Sequence, residues 1–299
     1  MLSMADLSKD ELCSLLELAA KLKSEQKAGT AAKPLEGRTL GMIFAKSSTR
    51  TRVSFDVGVH QLGGSAVVLN TGDIQLGRGE TIEDTAKVLS RYLDGIMIRT
   101  FKHTDVEELA RHASIPVING LTDDEHPCQV LADFQTVIER KGRLDGLKLC
   151  YIGDGNNMAN SLIYGGLTAG MSVSCACPDG YHPLPRVLEF AKGYPGRFEL
   201  SGNILRAARD ADVLVTDVWA SMGQESEIER RRVAFAGYQI NDSVLAVANP
   251  DAIVLHCLPA HRGEEISAEV FARFADVIYD EAENRLHAQK AVMVRLMNK

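Results

Sequence analysis

Near the start of the chain, apolar residues recur at helical spacing. Leu12, Leu15, Leu16 and Ala19 fall on one face of a helix that begins at Ser8, where Glu11 completes a capping box. Short apolar runs then alternate with amphipathic stretches. The runs at 39–45, 66–69, 95–99 and 115–119 predict strands, and the stretches at 51–62, 81–93, 104–112 and 127–141 predict helices. Thr81 with Asp84, and Thr104 with Glu107, predict further capping boxes. A polar, glycine-containing break, Lys141-Gly142-Arg143-Leu144-Asp145-Gly146, ends this series. The second series has strands expected at 147–152, 172–177, 213–217, 253–256 and 277–279, and a long helix at 281–297. Neither an internal repeat nor a low-complexity segment interrupts it.

Two βαβ arrays predict an α/β fold of two lobes, each a mostly parallel sheet flanked by helices, with a cleft between them. The expected domains are 1–141 with the C-terminal helix 282–299, and 142–281. The unusual polar residues share one location. Lys46–Arg52 follows the first strand, Arg99 ends the third, and His126–Gln129 follows the fourth. In the second series Asp154–Asn157 follows the first strand, Asp217 ends a later one, and Cys257 follows another. Open α/β sheets bind ligands outside the carboxyl ends of their strands.

Composition narrows the function classes. The 299 residues carry a net charge of −7 with no basic block, which argues against nucleic acid as a partner. No apolar run approaches the roughly 18–20 residues that span a bilayer. The acidic N-terminus reads as neither a secretory signal nor a transit peptide. Cysteines at 13, 128, 150, 175, 177 and 257 form no CxxC pair, so reduced thiols in a cytoplasmic protein are expected.

The string Lys46-Ser47-Ser48-Thr49-Arg50-Thr51-Arg52 lies between a strand and a helix, where free N–H groups and the helix dipole favour an anion. Hydroxyls and the forked guanidinium of Arg50 make it a phosphate cradle without the glycines of a Walker loop. A solvated basic helix start is the plain alternative. The Ser48-Thr49-Arg50-Thr51-Arg52 string resembles the carbamoyl-phosphate signature of the aspartate and ornithine carbamoyltransferase family. Phe44-Ala45-Lys46 precedes it, with alanine where that family usually has glutamate.

His126-Pro127-Cys128-Gln129 carries the same resemblance, with Pro127 suited to the first turn of a helix. It implies that Thr51, Arg99 and His126 polarise the carbonyl oxygen of carbamoyl phosphate, while Gln129 holds its nitrogen. Fixed donors at a developing oxyanion are worth ~3–4 kcal/mol each. Gln75 matches a family position that acts from a neighbouring subunit, and Arg285 matches a further ligand on the final helix.

Three second-lobe pieces bear on the acceptor. Gly153-Asp154-Gly155-Asn156-Asn157 partly matches a dinucleotide loop, but Met158 stands where the third glycine belongs. Asp217-Val218-Trp219-Ala220-Ser221-Met222-Gly223 resembles the loop of the ornithine branch. The resemblance implies that Asn157, Asp217, Ser221 and Met222 hold the amino-acid end of ornithine. In His256-Cys257-Leu258-Pro259, it places Cys257 beside the δ-amine and makes the Leu258–Pro259 bond cis, with the Cys257 and Leu258 carbonyls aimed into the site and both residues counted among those that bind carbamoyl phosphate. A His-Cys pair also suits zinc, but no second spaced pair accompanies it, so no metal is expected.

The resemblance spans nearly the whole chain. It implies direct transfer of a carbamoyl group from carbamoyl phosphate to L-ornithine, giving citrulline and phosphate, by a homotrimer that uses no cofactor. Arg99, His126 and Cys257 carry the chemistry in this reading. Other readings stay open: a carbamoyltransferase for putrescine or acetylornithine, a nicotinamide-dependent dehydrogenase, or a binding protein without turnover.

Overall fold

The computed structural model describes residues 1–72, 79–221 and 223–298, without the side chain of Glu225. The chain divides into two compact units. Met1–Gln135 with Asn284–Lys299 form the first, and Thr136–Glu283 the second.

In the first unit, β1 (Thr39–Phe44), β2 (Ser65–Asn70), β3 (Gly95–Arg99) and β4 (Val117–Leu121) form a sheet of order β2-β1-β3-β4. All its pairings are parallel. Its helices are α1 (Lys9–Lys27), α2 (Thr49–Gln61), α3 (Ile82–Leu89), α4 (His103–His112) and the first part of α5 (Pro127–Lys141). The central strands are buried along nearly their whole length, whereas the edge strand β2 is only partly covered. That contrast follows from helices covering both faces of a parallel sheet. Ile43, Ile96 and Ile98 pack against Ala86, Val106 and Leu109 to form one such layer.

The second unit contains β5 (Lys148–Ile152), β6 (Ser172–Ala176), β7 (Phe198–Ser201), β8 (Val213–Thr216) and β9 (Ile253–His256). They form a parallel sheet of order β7-β6-β5-β8-β9. Helices α6 (Asn157–Thr168), α7 (Pro185–Ala191), α8 (Ile204–Ala208), α9 (Ile228–Ala234) and α10 (Asp242–Leu245) connect the strands, and α11 (Ala268–Met297) ends the chain. Among the described residues, no helix is long and apolar enough to cross a membrane.

Strand order reverses once in each sheet, between β1 and β3 in the first unit and between β5 and β8 in the second. At such a reversal the flanking loops leave in opposite directions and open a crevice at the strands' carboxyl ends. The loop after β1 covers residues 45–48 and β3 ends on Arg99. The loop after β5 holds Asp154 and Asn156, and Asp217 follows β8.

Local expectations meet mixed outcomes. Ser8 and Glu11 form the expected capping box. Thr81 caps α3 but the box is incomplete, because Asp84 bonds the Thr81 hydroxyl instead of its backbone N–H. The box expected at Thr104 and Glu107 is absent: α4 starts one residue earlier, with Lys102 as a cap that makes no side-chain bond. The strand expected at 277–279 is helix within α11. Val270, Phe271, Phe274, Ala275 and Ile278 pack inward at helical spacing while Tyr279 is exposed, a pattern that three residues of an apolar run conceal. Strand β7 was not anticipated.

Candidate active site

In the first unit, Ser48 caps α2 by accepting the N–H of Thr51 at 3.2 Å. The backbone of Ser48 is extended, as an N-cap residue requires. Arg50 is partly buried in that turn. Lys46, just before the cap, is buried, pairs with Asp123 and lies 4.4 Å from the centre of the Phe101 ring. Ala45 donates its N–H to the Arg99 carbonyl at 2.8 Å. With Thr100, Asp105 and Glu108 it lines a cavity of about 510 Å³.

Arg285, contributed by α11, organises the rest of this group. It is almost fully buried. One terminal nitrogen reaches Thr51 Oγ1 at 2.7 Å. The other contacts His126 Nε2 at 3.2 Å and donates to Gln129 Oε1. Arg99 Nη1 also approaches Thr51 Oγ1, at 3.5 Å. His126 sits where α5 begins, and its carbonyl accepts the N–H groups of Gln129 and Val130. Gln129 donates its Nε2 to Asp133 Oδ1, one turn further on, at 2.8 Å.

Burial pushes the His126 pKa well below its ordinary value, and Arg285, Arg99 and Arg50 push it in the same direction. The ring is therefore neutral near pH 7. A guanidinium only donates, so Nε2 accepts from Arg285 and the ring proton resides on Nδ1. Three arginines, a threonine hydroxyl and a neutral histidine thus converge at the sheet's crossover point, an environment suited to an anion and a polarised carbonyl.

In the second unit, Asp217 collects three donors. Asn156 Nδ2 lies 2.9 Å from it, the Val218 N–H 2.8 Å, and Cys257 Sγ 3.0 Å. Asn156 also caps α6, accepting from Met158 and Ala159, and Tyr151 donates to it. Asn157 is the first residue of α6, while its neighbour Asn156 makes the tie to Asp217. Ser221 is partly buried, and its N–H donates to Gln224 Oε1. Leu258 has φ of 58° and the Leu258–Pro259 bond is cis. Its N–H donates to His256 Nδ1, whose ring reaches the buried Glu265 at 2.9 Å. Asp217, His256 and Cys257 bring a carboxylate oxygen, a ring nitrogen and a sulfur within 4.8 Å of one another. Such a set could ligate a metal, although each member is already hydrogen-bonded within the protein.

The glycine-rich loop after β5 has a packing explanation. A Cβ on Gly155 would lie 2.2 Å from the His182 carbonyl carbon, so the glycine admits a close backbone crossing. Asp154 is occupied as well, bonded at 2.6 Å to Arg231 of α9, which also donates to the Trp219 carbonyl.

Of the expected first-unit residues, the geometry gathers Thr51, Arg99, His126, Gln129 and Arg285 directly, with Ser48, Thr49 and Arg50 at the adjoining helix start. In the second unit it joins Cys257 to Asp217, with Leu258 adjacent. Gln75 and Met222 lie outside the described residues. Sequence reasoning missed Asp133 and Arg231, and it singled out Asp154 without its partner. The four-residue spacing of Gln129 and Asp133 on a helix was available as a signal; the Asp154–Arg231 pairing, 77 positions apart, was not.

Comparison with known proteins gives the family. Residues 1–139 match the aspartate/ornithine carbamoyltransferase carbamoyl-P binding domain, and residues 145–296 match the Asp/Orn binding domain of the same family. An ornithine carbamoyltransferase from Oceanobacillus iheyensis is 58% identical, over 99% of this chain and 93% of its own. One from Thermococcus kodakarensis is 54% identical, over 99% and 95%. The structure of ornithine carbamoyltransferase from Pyrococcus furiosus superposes with a TM-score of 0.94 at 50% identity, covering 99% of this chain and 96% of that one.

Proposed function

The chain belongs to the aspartate/ornithine carbamoyltransferase family, and we propose that it carbamoylates the δ-amine of L-ornithine with carbamoyl phosphate, releasing citrulline and phosphate. The observation that carries this reading is the meeting of Thr51, His126 and Gln129 on the buried guanidinium of Arg285. Full-length relatives named ornithine carbamoyltransferase support the choice of acceptor.

In this reading the first unit handles carbamoyl phosphate. The start of α2, with Ser48, Thr49 and Arg50, takes the phosphate. Thr51, Arg99 and His126 face the carbonyl oxygen, where negative charge grows as the amine attacks. Neutral His126 can donate from Nδ1 without adding a cation to an already positive site. Gln129 accepts from the carbamoyl nitrogen, and Arg285 steadies the group.

The second unit handles the acceptor. Asp217 is the natural partner for an ammonium, and Asn157, Ser221 and Met222 are assigned by resemblance to the same end of ornithine. Cys257 and the carbonyl of Leu258 border the δ-amine. That amine must lose its proton to attack, which costs roughly 4 kcal/mol near pH 7.5 for a lysine-like group. Carbonyl and thiol acceptors in a desolvated setting reduce that cost. The nitrogen bonds to the carbamoyl carbon, the tetrahedral intermediate collapses, and phosphate leaves with the C–O bonding pair and takes up a proton.

We propose further that the protein works as a homotrimer in the cytoplasm, with Gln75 acting on a neighbouring subunit's ligand. Val53 and Val57, one helical turn apart on α2, and Val67 on the edge strand β2 are exposed apolar residues consistent with a self-association surface. All six cysteines are free, as a reducing compartment requires.

The test is citrulline formation from carbamoyl phosphate and ornithine, run beside aspartate, putrescine and acetylornithine. Turnover of another amine with no citrulline would overturn the acceptor assignment. Sedimentation of the purified protein tests the trimer.

A further inference from the structure

A glutamine side chain that must present its oxygen to a ligand has a difficulty of its own. Its amide is nearly symmetric in shape, and a half-turn exchanges an acceptor for a donor. Gln129 is fully buried, so water does not decide which end points where. Its Oε1 accepts from Arg285, and its Nε2 donates to Asp133 Oδ1 at 2.8 Å. A guanidinium only donates and a carboxylate only accepts. The two neighbours therefore demand the same orientation, and the reverse would set like poles against each other at both ends.

We infer that Asp133 is a positioning residue that selects which end of the Gln129 amide faces the ligand. This rests on the proposal that Gln129 accepts a hydrogen bond from the carbamoyl nitrogen. Asp133 lies four residues after Gln129 on α5, is fully buried, and makes its contact along one helix face. Arg285 reaches Gln129 from a separate helix and is itself expected to engage the ligand. Whenever its guanidinium turns toward carbamoyl phosphate, the carboxylate of Asp133 still holds Nε2, and Oε1 keeps a lone pair directed at the carbamoyl N–H. Asp133 thus converts an ambiguous amide into a dedicated acceptor. The consequence is chemical selectivity: a carbamoyl group bears an N–H where an acetyl group bears a methyl.

The experiment compares carbamoyl phosphate, acetyl phosphate and inorganic phosphate as ligands of the full-length protein, by calorimetry and by inhibition of citrulline formation. The native protein should prefer carbamoyl over acetyl phosphate. Asp133→Asn, which can donate as well as accept, should reduce that preference about tenfold, the scale of one buried hydrogen bond. Affinity for inorganic phosphate should stay unchanged, whereas general damage to the site would weaken all three ligands together. Asp133→Glu, keeping the carboxylate, should restore part of the preference. In a Gln129→Ala background, Asp133→Asn should change the ratio no further. If the asparagine variant does not fold, Asp133→Ser takes its place in the same comparison. A retained preference in a folded, uncharged variant would overturn the inference, as would equal weakening of all three ligands. Absence of carbamoyl phosphate binding by the native protein would instead overturn the functional reading beneath it.

Discussion

Arg285 and Thr51 stand 234 positions apart in the chain, yet the guanidinium donates to the threonine hydroxyl at 2.7 Å in a buried setting. The contact ties the last helix to the first turn of α2, where the anion is expected. Through the same side chain, α11 also reaches His126 and Gln129 at the start of α5.

Arg285→Lys should therefore be far from conservative. A lysine supplies a point charge in place of the planar fork that spans Thr51, His126 and Gln129. We expect kcat/KM for carbamoyl phosphate to fall about 10²–10³-fold, comparable to losing an oxyanion donor. Steady-state kinetics with saturating ornithine check this, and a change below threefold would contradict the organising role.

His126 links stability to pH. Its folded-state pKa is held well below the ordinary value, first by burial and then by Arg285, Arg99 and Arg50. As pH falls below about 6.5 the unfolded chain takes up a proton that the folded chain refuses, so stability declines toward the lower folded pKa. Above about 6.5 the contribution is fully present. Urea unfolding of native protein and His126→Asn at pH 7.5 and 5.5 should show a smaller acid loss in the variant, by up to about 1.4 kcal/mol per pH unit for one proton. Identical acid losses would refute the link.

Cys257 donates to Asp217 at 3.0 Å, on the unit expected to bind the acceptor. Cys257→Ala should raise KM for ornithine severalfold and leave carbamoyl phosphate affinity in calorimetry unchanged. Cys257→Ser, which still donates to Asp217, should lie between alanine and native. Equal effects on both substrates would argue against this division of labour.

Arg231 and Asp154 make a buried pair at 2.6 Å. Burial raises the Asp154 pKa more strongly than its bond with Arg231 lowers it, so this carboxylate depends on its partner. Arg231→Ala should destabilise the protein by about 3–5 kcal/mol, because an uncompensated charge stays buried. Adding Asp154→Asn should recover part of the loss. Thermal and urea unfolding of the three variants measure both effects, and additive losses would refute the coupling.

By itself the sequence determined the alternation of strands and helices, the parallel α/β class, and the placement of polar clusters after strands. Those features depend on periodicity and on short-range chemistry: Ser8 with Glu11, Pro127 opening a helix, Ser48 before Thr51. Only the tertiary structure decided what completes each cluster. Arg285 meeting His126 across 159 positions, Arg231 meeting Asp154, and Cys257 meeting Asp217 are contacts between distant segments, set by strand order and helix packing. The same cause explains the errors. Residues 277–279 form a run too short to reveal its period, and the packing of Ile278 within a long helix settled it. Gly155 reads in sequence like part of a nucleotide loop, and only the backbone crossing at His182 shows why a side chain is excluded there.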